Sequence, residues 1–292
     1  MSGASPAMWG TCRPDKHGGP DMALDGKTIL ITGATDGLGK EVATLAARQG
    51  ATVLLHGRDR TKGQTVLDEI IAASGNDRLE LFLADLESLA EVRRLAAEVT
   101  ARHRRLDVLI NNAGIAGFNG DREANAAGVE LHFQVNYLAP FLLTHLLLPT
   151  LKASAPARIV NVSSIGQGPI DFDDVQLERT YSGMQAYRQS KLAQIMFTID
   201  LAGQLEGSGV TVTALHPGTF MNTNMVRKSG LPPQSRVEDG AEATFRLAVS
   251  PDVEGQTGVY FNQQALAEAN PQAYDTSARR RLWDLSARLA GL

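Results

Sequence analysis

The sequence predicts an α/β fold in which one parallel sheet is covered by helices on both faces. From Lys27 onward, short apolar runs rich in β-branched residues alternate with amphipathic helical segments, which is typical of βαβ units. A glycine-rich turn directly follows the first of these runs and precedes a predicted helix. Residues 24–292 are therefore predicted to form a single domain, preceded by a mobile tail at residues 1–23 that is rich in Pro, Gly and Ser.

The strands and helices can be assigned in chain order. Each predicted strand is a short apolar run, and each predicted helix repeats apolar residues every three to four positions. The predicted strands are KTILIT, ATVLLH, LELFLA, LDVLI, RIVNVS, VTVTALH and GVYF. The predicted helices cover residues 38–49, 61–73, 89–102 and 124–151, and a further helix carries the segment YRQSK. About seven parallel strands with right-handed crossovers make a doubly wound Rossmann fold.

The composition excludes several classes of protein. With 292 residues, of which 43% are hydrophobic and 21% are charged, the chain can build a large core. Its formal net charge of -4 gives no general attraction to nucleic acid or to anionic lipid. The single cysteine, Cys12, cannot form an intrachain disulfide, and no Cys/His cluster indicates a metal site. The opening segment shows no signal-peptide or membrane-anchor pattern, so we expect a cytoplasmic protein with no membrane or nucleic-acid partner.

The segment TGATDGLGK predicts a dinucleotide-binding turn. Its glycines permit a tight turn and a close approach of the backbone to a pyrophosphate, and the next helix points its N-terminal amides at that charge. A purely structural turn is the alternative, but the position between a strand and a helix favours the cofactor. The predicted cofactor-binding residues of this turn are Gly33, Thr35, Asp36, Gly37, Leu38 and Gly39.

The end of the second strand, HGRDR, bears on the choice of dinucleotide. An acidic residue there would bind the adenosine ribose of NAD, whereas Arg58 suits the 2′-phosphate of NADP. We therefore predict NADP(H) rather than NAD. The alternative is that Asp59 reaches the ribose and Arg58 is a solvated loop charge. Asp85 and Leu86, after the third strand, are predicted to lie at the adenine, and the alternative for Asp85 is the N-cap of the next helix.

The segment NNAG at 111–114 follows the fourth strand. Small residues allow the backbone to approach both a neighbouring strand and a cofactor. Asn112, Ala113 and Gly114 are therefore predicted to contact the dinucleotide, and Asn111 is predicted to bridge neighbouring strands. Taken alone, the tetrapeptide indicates only a turn.

The segment YRQSK is the candidate for proton transfer. Tyr187 and Lys191 are four residues apart, which places them on one face of a helix. In a cleft, the ammonium of Lys191 would lower the pKa of the Tyr187 phenol, whereas on a solvated face the pair would have no chemical role. Tyr181 is the rival tyrosine, but Gln185, four residues beyond it, carries no charge that would stabilise a phenolate.

The chain resembles the short-chain dehydrogenase/reductase family from about Leu24 to its C-terminus. TGATDGLG, NNAG, NVSS, YRQSK and HPG occur in the order and approximate spacing of that family. Other segments, such as GSGVTVTALHPGT and RRLWDLSARLAGL, look closest to the retinol-dehydrogenase and WW-domain-oxidoreductase branch. That branch often carries an N-terminal membrane anchor, and because the opening segment shows no such pattern, we do not expect membrane association or retinoid specificity from the resemblance.

The resemblance implies a catalytic tetrad of Asn136, Ser164, Tyr187 and Lys191. Ser164 would hydrogen-bond the substrate carbonyl, Tyr187 would exchange the proton, and Lys191 would lower the tyrosine pKa and hold the nicotinamide ribose. Asn136 would kink its helix and position a water toward Lys191, although a nearby proline is an alternative cause of a bend. Ser163 is the rival serine, and alternation along the strand allows only one of the two serines to face the cleft.

The resemblance further implies that HPG at 216–218 lies beside the nicotinamide. Pro217 and Gly218 would bound the ring, and Thr219 would hydrogen-bond its carboxamide. The chain departs from the family pattern where a threonine usually stands four residues after the glycine, because Asn222 occupies that position and Thr223 follows it. The carboxamide contact therefore stays open between these residues.

These features predict an NADP(H)-dependent carbonyl reductase or alcohol dehydrogenase for a fairly large, apolar ketone, aldehyde or alcohol. The segment TFMNTNMV and the loop at 166–184 favour such a substrate. A C=C reductase and a non-catalytic dinucleotide-binding module are the alternatives, and the latter commonly lacks the Tyr or the Lys, both of which are present. The resemblance suggests a homodimer or homotetramer, with a monomer as the alternative. No metal is expected, because the histidines lack ligand spacing.

Overall fold

A computed structural model describes residues 24–117 and 120–292, so the tail predicted at residues 1–23 lies outside the described residues. The strands are β1 (Thr28–Ile31), β2 (Thr52–Gly57), β3 (Leu79–Leu83), β4 (Val108–Asn111), β5 (Ala157–Val162), β6 (Val210–His216), β7 (Val259–Asn262) and β8 (Ala265–Ala267). They form one sheet in the order β3-β2-β1-β4-β5-β6-β7-β8. The seven strands predicted from the sequence are all present.

Helices connect these strands. They are α1 (Gly37–Arg48), α2 (Arg60–Ser74), α3 (Leu89–Arg102), α4 (Leu131–Phe133), α5 (Ala139–Ala153), α6 (Gly183–Gln204), α7 (Asn224–Lys228), α8 (Val237–Val249) and α9 (Thr276–Ala290). A π-helical turn (Gln134–Leu138) joins α4 to α5. The helices α2, α3 and α6 begin where the side chains of Asp59, Ser88 and Ser182 each accept an amide hydrogen bond from the first turn.

The strand order explains where a ligand can bind. β1 pairs in parallel with β2 on one side and with β4 on the other, so the direction of chain progression reverses between β1 and β4. In doubly wound sheets, ligands bind beyond the carboxyl ends of the strands at such a switch point. Among the strands of residues 24–117 and 120–292, β8 alone is antiparallel, and it extends the sheet beyond the predicted seven strands. The sequence missed β8 because it is a short, largely exposed Ala-Leu-Ala edge without alternating polarity.

Two apolar cores lie on the two faces of the sheet. Successive residues of a strand point to opposite faces, so Leu30 joins one core, whereas Ile29 and Ile31 join the other. The core with Leu30 lies under α3, α5, α6 and α9, and its largest buried side chains include Tyr137 and Phe141. The apolar runs of the predicted strands reflect this two-sided burial.

The helix predicted at residues 124–151 begins later than expected. Ala124 forms an isolated bridge with Glu130, and Gly128 between them has a φ of 81°, so this stretch is a tight turn rather than a helix. Helix α4 begins at Leu131, where Glu130 accepts from the amide of Phe133. The sequence prediction placed the helix start too early because the spacing of apolar residues does not reveal this turn. The turn depends on the positive φ of Gly128.

Candidate active site

The glycine-rich turn between β1 and α1 brings the backbone close to its neighbours. Gly33 has a φ of 65°, and a Cβ there would lie 2.8 Å from the Cα atom of Ala113. A Cβ at Gly39 would overlap the carbonyl oxygen of Gly33. Asn112 holds the turn to β4, because its Nδ2 donates to the carbonyl of Thr32 at 2.8 Å. Glycine is therefore required at positions 33 and 39 by the backbone itself.

The first turn of α1 offers a backbone amide to an anion. Asp36 is the N-cap residue, but its side chain makes no capping hydrogen bond, and no acidic residue lies in the first turn. Asp36 accepts instead from Nζ of Lys62 at 2.6 Å and from Nδ2 of Asn224 at 2.5 Å. The Gly37 amide is engaged by the Asp36 carboxylate, whereas the Leu38 amide fits the negatively charged pyrophosphate of a dinucleotide.

The adenosine side of this crevice carries an exposed cation. The Arg58 side chain is 68% exposed, and its Nη1 lies 3.3 Å from Oε1 of Glu87, a geometry from which it can turn toward a phosphate. Asp59 instead caps α2, because its Oδ1 accepts from the amide of Lys62 at 2.9 Å. Asp85 accepts from the amide of Glu87 at 3.0 Å, and Ser88 is the N-cap of α3. The N-cap alternative for Asp85 is therefore wrong.

Ser164, Tyr187 and Lys191 converge beyond the carboxyl end of β5. The hydroxyl groups of Ser164 and Tyr187 are hydrogen-bonded to each other. Nζ of Lys191 lies 5.7 Å from the centroid of the Tyr187 ring, and it donates to the carbonyl of Val162 at 3.0 Å and to Oε1 of Gln194 at 3.1 Å. Two hydroxyls and an amine thus lie close together, and Tyr187 and Lys191 share one helix face, as their four-residue spacing predicts.

Burial sets the pKa values in this group. It lowers the pKa of the Lys191 ammonium from 10.5 to about 7. It raises the pKa of the Tyr187 phenol, and the hydrogen bond with Ser164 acts in the opposite direction. Desolvation of the phenol outweighs the hydrogen bond with Ser164, so the pKa of Tyr187 lies above its ordinary value. Tyr187 keeps its proton at neutral pH.

Asn136 lies in the π-helical turn, so the predicted helix distortion is present at this residue. Its Oδ1 accepts from the amide of Ile115 at 2.7 Å, and its Nδ2 donates to the carbonyl of Ile115 at 3.0 Å. Pro140 follows this turn and has no amide to donate to the carbonyl of Asn136 four residues before it, so the proline also lies at the distortion. A Cβ at Gly114 would lie 3.2 Å from Oδ1 of Asn136 and 3.6 Å from Nζ of Lys191. The NNAG turn therefore packs directly against the predicted tetrad.

Comparisons with known proteins identify the family. A family model described as short chain dehydrogenase matches residues 27–233. The chain belongs to the short-chain dehydrogenase family. It is 41% identical to retinol dehydrogenase 14 of Mus musculus, over 95% of this chain and 90% of that protein. It is 40% identical to retinol dehydrogenase 11 of Homo sapiens, over 93% of this chain and 88% of that protein.

Solved structures give the same assignment. A protein from Mycobacterium paratuberculosis is 30% identical with a TM-score of 0.77, and the match covers 92% of this chain and 95% of that one. A short chain dehydrogenase from Shigella flexneri complexed with NADP is 29% identical with a TM-score of 0.70. The match covers 84% of this chain and 100% of that one. This short-chain dehydrogenase is therefore an NAD(P)-dependent oxidoreductase with a Rossmann-like fold.

The structure separates the rival residues of this short-chain dehydrogenase. Oγ of Ser163 donates to the carbonyl of Lys191 at 2.7 Å, so this serine fastens α6 to the sheet, whereas Ser164 faces Tyr187. The Tyr181 hydroxyl donates to a carboxylate at 3.4 Å, and burial raises its pKa to about 12. Asn111 bridges β4 and β5 as predicted, with Nδ2 donating 2.8 Å to a side-chain oxygen on β5.

The loop after β6 holds the residues predicted to bound the nicotinamide. Pro217 and Gly218 begin this loop, and a Cβ at Gly218 would lie 2.9 Å from Oγ of Ser235. The Thr219 hydroxyl lies 3.0 Å from Nε2 of His216, which already engages it. Thr223 is the N-cap of α7, and its Oγ1 accepts an amide hydrogen bond from the first turn. The hydroxyls of Thr219 and Thr223 therefore each have a hydrogen-bond partner within the protein, which a nicotinamide carboxamide would have to share or replace.

Several buried polar residues near the site were missed by sequence reasoning, among them Gln194, which accepts from Nζ of Lys191. The imidazole of His56 spans the crevice floor, since Nδ1 accepts from the amide of Gly33 at 3.2 Å and Nε2 lies 3.1 Å from the carbonyl of Ala84. Burial lowers the pKa of His56 to about 4, so the ring stays neutral. The only sequence signal was a polar residue inside an apolar strand. Further missed residues, near Leu86 and Tyr187, include Glu130, His132 and Gln134.

Among residues 24–117 and 120–292 there is no helix with the length and apolar character that a membrane crossing demands. In the same part of the chain, His, Cys, Asp and Glu side chains form no group of three or more with the geometry to hold a metal ion.

Proposed function

We propose that this protein is an NADP(H)-dependent carbonyl reductase or alcohol dehydrogenase that acts on a fairly large, apolar ketone, aldehyde or alcohol. The observation that carries the proposal is the hydrogen-bonded pair of Ser164 and Tyr187 hydroxyls next to the buried amine of Lys191. Two hydroxyls at one point are what a carbonyl oxygen needs as negative charge develops on it.

The protonation states support carbonyl reduction. Burial keeps the Tyr187 phenol protonated, which is the form that donates a proton to the substrate oxygen. Ser164 is positioned to hydrogen-bond the same oxygen and so to orient the carbonyl. When bound, the nicotinamide supplies the hydride in reduction and accepts it in oxidation. In oxidation, Tyr187 acts as the base and takes the hydroxyl proton of the alcohol.

Lys191 is suited to exchange protons with Tyr187. Its pKa of about 7 means that charged and neutral forms are both populated near neutral pH. Its hydrogen bonds go to two neutral oxygens, those of Val162 and Gln194, which fix the amine. Asn136 packs against the loop that carries Ile115 and so supports the geometry around this amine.

The substrate class rests on the apolar residues near the site. Ile165 directly follows Ser164 and is 54% exposed, although most large apolar side chains of this chain are buried. Met184 precedes Tyr187 by one helical turn, and Met225 lies on α7, and both are exposed. Unbranched methionines adapt to the shape of an apolar ligand. The names of the relatives, retinol dehydrogenases, agree with a large apolar alcohol or aldehyde.

The preference for NADP(H) rests on Arg58. Within the described part of the chain its guanidinium is held by an exposed carboxylate of Glu87, which a 2′-phosphate can replace. The Asp59 carboxylate caps α2, which disfavours the alternative in which Asp59 binds the adenosine ribose of NAD. The NADP complex of the Shigella flexneri relative agrees with this choice.

A direct test compares the wild type with Tyr187→Phe. Turnover of all-trans-retinal with NADPH is followed through the absorbance of the reduced nicotinamide, and NADPH affinity is measured by its fluorescence. We expect the variant to lose at least about a hundredfold in kcat, because proton transfer is removed, while NADPH affinity is retained.

The control is Tyr274→Phe, which changes a half-exposed tyrosine outside the cluster and should keep wild-type turnover. Unchanged kcat in Tyr187→Phe would contradict the acid/base role. Wild-type protein that reduces a C=C bond but no carbonyl would show that the alternative reductase chemistry is correct.

A further inference from the structure

A buried carboxylate and imidazole stand next to the predicted tetrad but take no part in the proposed chemistry. Glu130 and His132 are 2% and 5% exposed, and they lie at the start of α4. Oε1 of Glu130 lies 2.8 Å from Nδ1 of His132, and Oε2 accepts from the amide of Phe133 at 2.8 Å. A buried carboxylate is costly unless its oxygens are hydrogen-bonded, and here both are.

The hydrogen bonds fix the tautomer of His132. The amide of Gly117 donates to Nε2 at 3.1 Å, so Nε2 must carry a lone pair. The proton of the neutral ring is then on Nδ1, where it is donated to Glu130. Glu130 therefore prepares His132 as an acceptor for the backbone of the loop that follows β4.

His132 and Asn136 together hold this loop along one helix face. They are four residues apart, and they bind the alternate residues Gly117 and Ile115. The ring of His132 also contacts the ring of Tyr187 edge-on, with centroids 6.5 Å apart and an interplanar angle of 88°. The loop held by His132 thus runs beside the reacting phenol.

Glu130 also holds a second loop, the segment between β5 and α6. The Tyr181 hydroxyl donates to Oε1 of Glu130 at 3.4 Å, and the amide of Glu130 donates to Oε1 of Gln176 at 2.8 Å. Both partners belong to the long segment between β5 and α6. Glu130 therefore connects two loops that both precede Tyr187 in the sequence. It reaches the loop at Gly117 through His132, and it binds the second loop with its own carboxylate and amide.

We infer that Glu130 and His132 form a positioning pair that holds the two loops beside Tyr187 in one arrangement and so determines how well the enzyme binds a large apolar carbonyl substrate. This inference rests on the proposed function, in which Tyr187 is the acid/base. The pair does not touch the reacting atoms. It acts through the loop at Ile115 and Gly117 and through the segment that carries Gln176 and Tyr181.

The test is steady-state kinetics with all-trans-retinal and, as a short substrate, propanal. His132→Phe keeps a ring beside Tyr187 but loses both hydrogen bonds, whereas His132→Gln keeps an oxygen that can accept from Gly117. We expect His132→Phe to lower kcat/KM for retinal by at least about tenfold, because it removes the two hydrogen bonds that join Gly117 to Glu130. Propanal, which makes few contacts with the walls, should be affected less, and NADPH affinity should not change.

A second variant guards against a failure of His132→Phe to fold. Glu130→Gln keeps the size of the side chain but turns one acceptor into a donor that faces another donor, so we expect the same selective loss for retinal. The kcat/KM of His132→Gln for retinal should be closer to the wild-type value than that of His132→Phe. Wild-type kinetics in His132→Phe and Glu130→Gln would overturn the inference. It would also be overturned if NADPH affinity and melting temperature fell together with turnover, since the pair would then be merely structural.

Tyr187→Phe in the same series separates the two proposals. If Tyr187→Phe is inactive and the His132 and Glu130 variants behave as wild type, only the positioning inference fails. If Tyr187→Phe is as active as the wild type, the proposed function fails, and the inference that rests on it fails too.

Discussion

The burial of the Lys191 amine predicts an unusual dependence of stability on pH. Lys191 is 5% exposed, and its Nζ is held by two neutral oxygens, those of Val162 and Gln194. Its pKa is therefore about 7 in the folded protein, against 10.5 for an exposed lysine. The perturbation that tests this is Lys191→Met, which keeps the length of the side chain and removes the titrating amine.

The sign of the effect follows from proton binding. Between about pH 7 and about pH 10.5 the unfolded chain binds a proton at Lys191 that the folded chain does not bind, so the free energy of unfolding rises with pH. Below this window both states are protonated, and above it both are neutral. One pKa unit corresponds to about 1.4 kcal/mol, so the wild type should gain about 2 to 3 kcal/mol relative to Lys191→Met between about pH 7 and about pH 9.

The assay is thermal unfolding of the wild type and Lys191→Met, without added cofactor, across this pH window. For a chain of this size, about 1 kcal/mol corresponds to about 2 to 4 °C in Tm, so the difference in Tm should change by several degrees. Lys152→Met, on the exposed side of α5, is the matched control, and its Tm should change with pH in the same way as the Tm of the wild type. If the Tm of Lys191→Met also follows that of the wild type, the amine keeps its ordinary pKa and the reasoning is refuted.

Two further changes test the cofactor and the tetrad geometry. Arg58→Ala should weaken NADPH binding by about tenfold through loss of one charge-assisted hydrogen bond, and should spare NADH. Titration of both cofactors checks this, with the exposed Arg60→Ala as control, and an equal loss for both would speak against a phosphate contact. Gly114→Ala places a methyl group 3.2 Å from Asn136 Oδ1, so kcat should fall at least about tenfold while Tm changes little. Gly203→Ala, which meets no atom within 4 Å, should keep wild-type turnover, and equal kcat values for the two variants would contradict the crowding.

Local patterns in the sequence were sufficient for the fold and for most of the candidate site. Strand and helix periods depend only on neighbouring residues, so α3 and β6 have the predicted bounds. The turn between β1 and α1 was predictable because backbone overlap at Gly33 and Gly39 admits no side chain. The pairing of Tyr187 with Lys191 was predictable because a helix places residues four apart on one face.

Tertiary structure alone decided the features that depend on burial and on distant partners. The pKa values of Lys191 and Tyr187 are set by desolvation, which depends on how every surrounding element packs and has no signature in a five-residue motif. The role of Glu130 likewise depends on contacts with His132 and with Tyr181, which lies 51 residues away in the chain. Spacing along a chain predicts which side chains share a face, whereas only packing decides which of them lose water and which distant loops they hold.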